Sequence, residues 1–386
     1  MKKRMMAGFA AVCMLGVGTM GYGAGASEDF KGEINVGLCL GITGANATTG
    51  INFSQGIQEV VDQANANGGA NGYKINIELV DSGDDTDTAT NAMNLMVESD
   101  YSLVIGPHYS SQVYAVKDII EKNGIPTIVG GTNFKLPSEE NNYLFLGRTN
   151  DTIQAKAVAQ YIAENEAPEK VGIMYSADDF GQGGLTIAGE VFDELGITYV
   201  AEPHNTADTD YYTTLMKMQQ ESCDAIMVWT TVNPMMVIVR QINELGMNEE
   251  TNFFTSPCIG EAALLDAVDH SWLDGIYTVQ ETFYDTENPD VVAFGEAYEE
   301  KYGVVPDAAA RAYASIAYIA VDALSRAEDP TDRESVKTAL EETKDFETIF
   351  NTYSCDETHM LNHTIQLCQF QAEADDLVLI QQISGE

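Results

Sequence analysis

Two hydropathy regimes take turns along this chain. Residues 34–40 are almost all apolar, which marks a short buried strand. Residues 54–66 then place Ile57, Val60, Val61 and Ala64 at helical spacing, and Gly68-Gly69 stops the run. Residues 74–80 alternate, with Ile75, Ile77 and Leu79 on one face. A helical stretch at 88–97, an apolar run at 102–105, a helical stretch at 112–123 and an apolar run at 126–129 follow. This βαβαβαβ series predicts a parallel sheet with helices on both faces.

The same alternation restarts after Arg148, with helices expected at 152–166, 184–195, 211–221, 234–245 and 261–268. Strands are expected between them at 171–175, 197–202, 225–229, 253–254 and 276–279. Residues 290–343 are mostly helical, and 352–383 suggest strands joined by turns. A chain of 386 residues exceeds one compact core, so two domains are expected. No low-complexity linker separates the two α/β units, which suits lobes joined by several crossovers.

Two of the strand ends carry chemistry. Val104-Ile105-Gly106-Pro107-His108-Tyr109-Ser110-Ser111 ends in hydroxyls and leads into a helix, and Ile128-Val129-Gly130-Gly131-Thr132 ends in another. Hydroxyls and free N–H groups at a helix N-terminus suit an anion. In open α/β sheets the carboxyl ends of the strands are where ligands bind. The simpler use of Ser110 is as a helix N-cap.

Charge and leader narrow the class. The formal charge of −41 disfavours nucleic acid and anionic membrane surfaces as partners. Lys2, Lys3 and Arg4 precede a short apolar stretch, and Ala24-Gly25-Ala26 has the small-x-small form of a cleavage site. Residues 1–26 are therefore expected to be a signal peptide, with the mature chain starting at Ser27. The context of Cys13 is poor for a lipid anchor, because the apolar run continues past it. Five cysteines remain beyond the leader, an odd count that rules out full pairing within one chain.

Other chemistries find little support. Gly181-Gln182-Gly183-Gly184 imitates a dinucleotide loop without its full spacing or its following acid. Asp81, Asp84, Asp85 and Asp87 lack the glycine and glutamate of a calcium loop. Cys355, His359, His363 and Cys368 are compatible with free side chains, a cross-strand disulfide or a tetrahedral zinc site. No nucleophile motif is present, no metal or cofactor is expected, and no enzyme activity is expected.

An ordered set of segments resembles the branched-chain amino-acid (Leu/Ile/Val-binding) type of periplasmic substrate-binding proteins. It comprises Ile34-Asn35-Val36-Gly37-Leu38 with Thr43-Gly44, residues 64–69 with Asn71-Gly72, the acidic run 81–87 and Val104-Ile105-Gly106. Gly124-Ile125-Pro126, Phe180-Gly181-Gln182-Gly183 and Arg240-Gln241 complete it, covering about residues 30 to 385. The resemblance implies an α/β fold of two Rossmann-like lobes joined by hinge strands, the type I periplasmic binding arrangement. Lobe 1 is expected to span 27–148 plus 281–351, and lobe 2 149–280 plus 352–386. It also implies a monomer outside the cytoplasm that closes on a small-molecule ligand and delivers it to an ABC permease, or alternatively a ligand-sensing receptor module of the same fold that signals rather than delivers solute.

By the same resemblance, Ser110, Ser111, Gly130 and Thr132 would hold the ligand's carboxylate and ammonium. Phe180 would form a wall from the other lobe, with Thr231, Val232 and Cys258 also facing the cleft. Three departures stand out. Thr49 precedes Gly50 where an aromatic is common. No acid aligns at Ser256-Pro257-Cys258, Glu261 being the nearest. The cysteines of a disulfide found in some members match neither Asp84 nor Tyr109. The second departure points toward carboxylates and amides as much as toward α-amino acids, since a buried ammonium needs a partner.

Overall fold

The computed structural model describes residues 30–385. The expected signal peptide and Cys13 lie outside the described residues. The first sheet holds five parallel strands: β1 (Glu33–Leu40), β2 (Lys74–Asp81), β3 (Leu103–Ile105), β4 (Thr127–Val129) and β5 (Leu144–Leu146), in the order β2-β1-β3-β4-β5. Between them run α1 (Ala47–Ala66), α2 (Thr86–Val97) and α3 (Ser110–Asn123). The short, fully buried β3, β4 and β5 have the continuous Val/Ile/Leu/Phe character of strands covered on both faces. Gly124, at φ 61°, takes the left-handed conformation that ends α3.

The second unit alternates α4 (Asp151–Tyr161), β6 (Lys170–Ser176), α5 (Asp179–Leu195), β7 (Thr198–His204), α6 (Tyr212–Gln220), β8 (Ala225–Trp229), α7 (Val232–Glu244), β9 (Asn252–Thr255), α8 (Ala262–Leu265) and β10 (Tyr277–Gln280). The chain then returns to the first lobe through α9 (Pro289–Tyr302), α10 (Ala308–Arg326) and α11 (Arg333–Glu341). A small sheet follows, of β11 (Phe346–Glu347), β12 (Thr352–Cys355) and β13 (Leu361–Asn362). Finally β14 (Ile365–Gln371) and β15 (Asp376–Ile383) join the second sheet, whose order is β15-β14-β10-β9-β8-β6-β7. The protein is thus a two-lobed α/β structure.

The last crossing falls later than the 351–352 boundary expected from sequence. Tyr353 and Leu361 are buried in the first lobe's core, and Leu146 forms a bridge with Met360. Residues 352–362 therefore belong with lobe 1, and the return to lobe 2 comes only at β14. The Cys355–Cys368 region is divided by that crossing. Cys355 ends β12, Cys368 lies in β14 of the other sheet, and both are free. His359 stacks on Phe145, and His363 packs against Tyr353. Cys355, His359 and His363 thus pack with the first lobe and Cys368 with the second, and the four form no metal cluster among the described residues.

The glycines of 181–184 lie inside α5 rather than in a phosphate loop. A Cβ at Gly181 would sit 2.0 Å from the Ser176 carbonyl oxygen, and one at Gly184 would meet the Trp229 ring at 2.2 Å. They let α5 settle onto the sheet. Alanine plays the same part in α10, which packs along α1. At the crossing a Cβ on Gly56 would fall 2.1 Å from the backbone oxygen of Ala310. Backbone cannot rotate away, so Gly56→Ala overpacks the interface. It should lower stability by about 1–3 kcal/mol, read as an earlier midpoint in urea unfolding. An unchanged midpoint would contradict this packing.

Candidate functional site

Both sheets present the carboxyl ends of their parallel strands to a shared cleft. In each, the strand order reverses beside the first strand, at β1/β3 in one lobe and β6/β8 in the other. Such switch points splay the following loops and leave a crevice. The cleft encloses about 500 Å³ of empty space to its open mouth. Lobe 1 contributes Asn46 and Thr49 after β1, and His108, Tyr109 and Ser110 after β3. It adds Gly130 and Thr132 after β4, and Arg148 after β5. Lobe 2 contributes Phe180 after β6, Thr230, Thr231 and Val232 after β8, and Ser256, Pro257, Cys258 and Glu261 after β9.

Of the residues singled out in the sequence, Ser110, Gly130, Thr132, Phe180, Thr231, Val232 and Cys258 all line this cleft. Ser111 does not; it sits half-buried on the first turn of α3, beside the cleft-facing Ser110. Ser110 is not a helix cap either, since Tyr109 holds that position. The Ser110 hydroxyl oxygen instead accepts from the N–H groups of Thr132 and Asn133, at 3.1 and 3.2 Å. This clamps the β3 and β4 loops together and leaves the Ser110 hydroxyl proton free to donate. The Thr132 N–H is thereby engaged with Ser110. The Thr132 hydroxyl is buried beside the Asp151 carboxyl at the edge of the cleft. Helical hydrogen bonding in α3 begins with Val113 N–H to the Tyr109 carbonyl, so the N–H groups before it lack helical acceptors.

The opposite wall is different in kind. The Thr230 hydroxyl is buried and unpartnered. Burial pushes the Cys258 thiol up to about 12, so it is neutral at physiological pH and cannot act as an anion. The acid comes from Glu261, which sequence reasoning marked only as the nearest one. Desolvation, with Asp307 and Glu281 nearby, raises its carboxyl to about 8, against the lowering effects of the Thr49 hydroxyl and Arg148. Thr49 donates to Glu261 Oε2 at 2.7 Å, from one lobe to the other. Two more bonds span the cleft: Asn233 Nδ2 to Asn46 Oδ1 at 2.7 Å, and Asn133 Nδ2 to the Asp179 carbonyl at 2.5 Å. The lobes are in contact around the site.

Sequence reasoning also missed the floor. Arg148 donates through Nε to both oxygens of Glu281 at 2.9 Å, and Gln154 donates to the same carboxylate at 2.6 Å. The Glu281 backbone carbonyl accepts from Asn351 Nδ2 at 2.5 Å. His108 lies against Arg148 and shares a 2.9 Å hydrogen bond with the Tyr313 hydroxyl. Burial and the Arg148 charge hold His108 well below the usual imidazole range, so it is neutral. The available signal was positional: Arg148 follows a strand as Ser110 and Thr132 do.

Residues 33–375 match the family model described as periplasmic binding protein. Among curated relatives, Leu/Ile/Val-binding protein homolog 8 of Brucella abortus is 26% identical over 294 residues, 71% of either chain. Among solved structures, the branched-chain amino acid transporter substrate-binding protein LivJ from Streptococcus pneumoniae, in complex with isoleucine, superposes with a TM-score of 0.80. It is 25% identical and covers 91% of this chain and 99% of its own. The leucine-binding protein LivK from Thermotoga maritima reaches a TM-score of 0.82 at 21% identity, with the same coverages.

Glu261 makes a testable contribution to stability. Its folded value lies above the usual carboxylate range, so the folded protein holds a proton that the unfolded chain releases. The resulting penalty is absent near pH 4, grows as pH rises, and is full above about pH 8. Glu261→Gln should therefore melt like the parent protein at pH 5 and at a higher temperature at pH 8. The difference should be on the order of 1–3 kcal/mol, reduced because solvent reaches the cleft. Equal melting at both pH values would contradict the burial assigned to this carboxyl.

Proposed function

The chain belongs to the periplasmic binding protein family, and on that premise we propose that it is an extracytoplasmic receptor for a small aliphatic amino acid of the branched-chain class. It hands this ligand unchanged to an ABC-type permease. The observation that carries the reading is a cleft in which an anion-binding wall on one lobe faces a carboxyl on the other. The ligand's carboxylate lies at the N-terminus of α3, taking the Ser110 and Thr132 hydroxyls. Its ammonium lies between the Gly130 carbonyl and Glu261. Its side chain rests on Phe180 and Val232. The isoleucine complex of the Streptococcus pneumoniae protein supports an aliphatic side chain.

Glu261 restores the ammonium partner that the sequence lacks at Cys258. An ammonium beside it favours the ionised carboxylate and offsets the desolvation that raises it. The basic and apolar leader at residues 1–26 supports export. Among the described residues, the groups in the cleft that could act as nucleophile or base are not free to do so. The Cys258 thiol is held protonated, and His108 is tied to Tyr313.

Thermal-shift and calorimetric titrations with leucine, isoleucine and valine test this, with isocaproate as the leucine skeleton lacking the amino group. Glu261→Gln should weaken leucine by roughly 10- to 100-fold, the value of a charged hydrogen bond. Isocaproate binding should change little. Ser110→Ala should weaken both ligands alike. Failure of every amino acid to raise the melting temperature would overturn the reading. So would full leucine affinity in Glu261→Gln.

A further inference from the structure

The segment that carries Glu261 is held from the other lobe on both sides of that residue. Immediately before it, the Gly260 carbonyl accepts from the Ala308 N–H at 3.0 Å. Immediately after it, the Ala262 N–H donates to Asp307 Oδ2 at 2.8 Å. Gly260, Glu261 and Ala262 follow β9 in lobe 2, whereas Asp307 and Ala308 open α10 in lobe 1. The contact is close enough that a Cβ at Gly260 would meet the Ala308 Cβ at 3.0 Å and Gln280 Oε1 at 3.0 Å. Within lobe 2 the stretch makes local bonds: Cys258 N–H to the Ser256 carbonyl, Glu261 N–H to the Cys258 carbonyl, and the Glu261 and Ala262 carbonyls accepting from the first turn of α8 and Asp266.

Asp307 is divided between two tasks. Oδ1 caps α10 by accepting from the Ala310 N–H at 2.8 Å. Oδ2 accepts from Ala262 and from Asn52 Nδ2, both at 2.8 Å. Asn52 lies on α1, the helix that also carries Thr49, the hydroxyl partner of Glu261. The α1 and α10 pair of lobe 1 thus fixes both the backbone around Glu261 and its carboxyl.

We propose that Asp307 is a positioning residue for ligand specificity: as the lobes meet, the N-terminus of α10 sets Glu261 in register to receive the ligand's ammonium. This rests on the reading of Glu261 given above. Its consequence is that amino-group recognition is assembled by closure rather than preformed in lobe 2. A ligand without an amino group gains nothing from that register.

Asp307→Asn separates the tasks. The amide oxygen still caps α10, since Asn is as good a cap as Asp. The amide NH₂ now meets two donors, Ala262 N–H and the Asn52 amide, and the cross-lobe bond is lost. The experiment is a double-mutant cycle on the full chain, titrating leucine and isocaproate into the parent, Asp307→Asn, Glu261→Gln and the double variant. Asp307→Asn should weaken leucine about tenfold, leave isocaproate within about threefold, and add nothing further in the Glu261→Gln background. Equal weakening of the two ligands, or losses that simply add, would overturn the proposal while leaving the Glu261 reading intact. Loss of leucine discrimination is also required of Glu261→Gln alone; if that fails, the underlying reading falls instead. A cooperative melt establishes that Asp307→Asn folds. If it does not, Ala308→Pro removes the other cross-lobe donor at a helix position that favours proline. The same coupling then decides.

Discussion

The buried ion pair between Arg148 and Glu281 is the constraint on which the rest of the site depends. Arg148 stands where the chain leaves the first sheet, and Glu281 where it comes back from the second. Gln154 at the start of α4 and Asn351 before β12 bind the same glutamate. Three stretches between or beside the lobes are therefore fastened at one point. Removing one partner of such a pair leaves an uncompensated charge and costs about 3–5 kcal/mol. The pair also forms the cleft floor, since Arg148 lines the cleft and presses on His108. The loops that carry Ser110 and Thr132 are clamped to one another by the Ser110 hydroxyl, and this floor lies beneath them.

Above that fixed floor, the charges of the cleft are arranged to resist closure on the wrong contents. Lobe contact desolvates Glu261 and raises its carboxyl to about 8. At neutral pH, closing around a neutral or anionic molecule must bury that carboxylate or bind a proton to it. A ligand ammonium removes the difficulty and adds a charged hydrogen bond. Differential stabilisation of the closed state is what a hinge receptor needs to convert binding into a change of shape. The cross-lobe bonds from Thr49, Asn233 and Asn133 give the closed form its geometry, and each is a modest neutral or backbone contact.

Most of the fold was legible because each strand is short, apolar and flanked by helical spacing. The strand-end rule placed Ser110, Gly130 and Thr132 at the cleft, and the family resemblance added Thr231 and Val232. The β5 strand was not picked out, having three residues, and neither was its following Arg148. Glu261 was seen in the sequence, yet its entry into the cleft depends on bonds to Asp307 and Ala308, more than forty positions away. The helix that follows, α8, spans only Ala262–Leu265, where a longer helix was expected. Of the readings open for Cys355 to Cys368, free side chains is the one the structure has, and nothing local in the sequence could select it. The chain crosses between lobes within that segment, so Cys368 ends in the second lobe's core while Cys355, His359 and His363 pack with the first. Local pattern specified the elements; the unread parts were set by contacts between lobes.

The most direct test of the central claim is a crystal structure of the protein with leucine. The account predicts leucine in the cleft between the lobes, its carboxylate on the Ser110 and Thr132 hydroxyls and its ammonium on Glu261, with Arg148 still paired to Glu281. Leucine bound with its ammonium turned away from Glu261, or a cleft that excludes leucine and holds a different class of molecule, would contradict it.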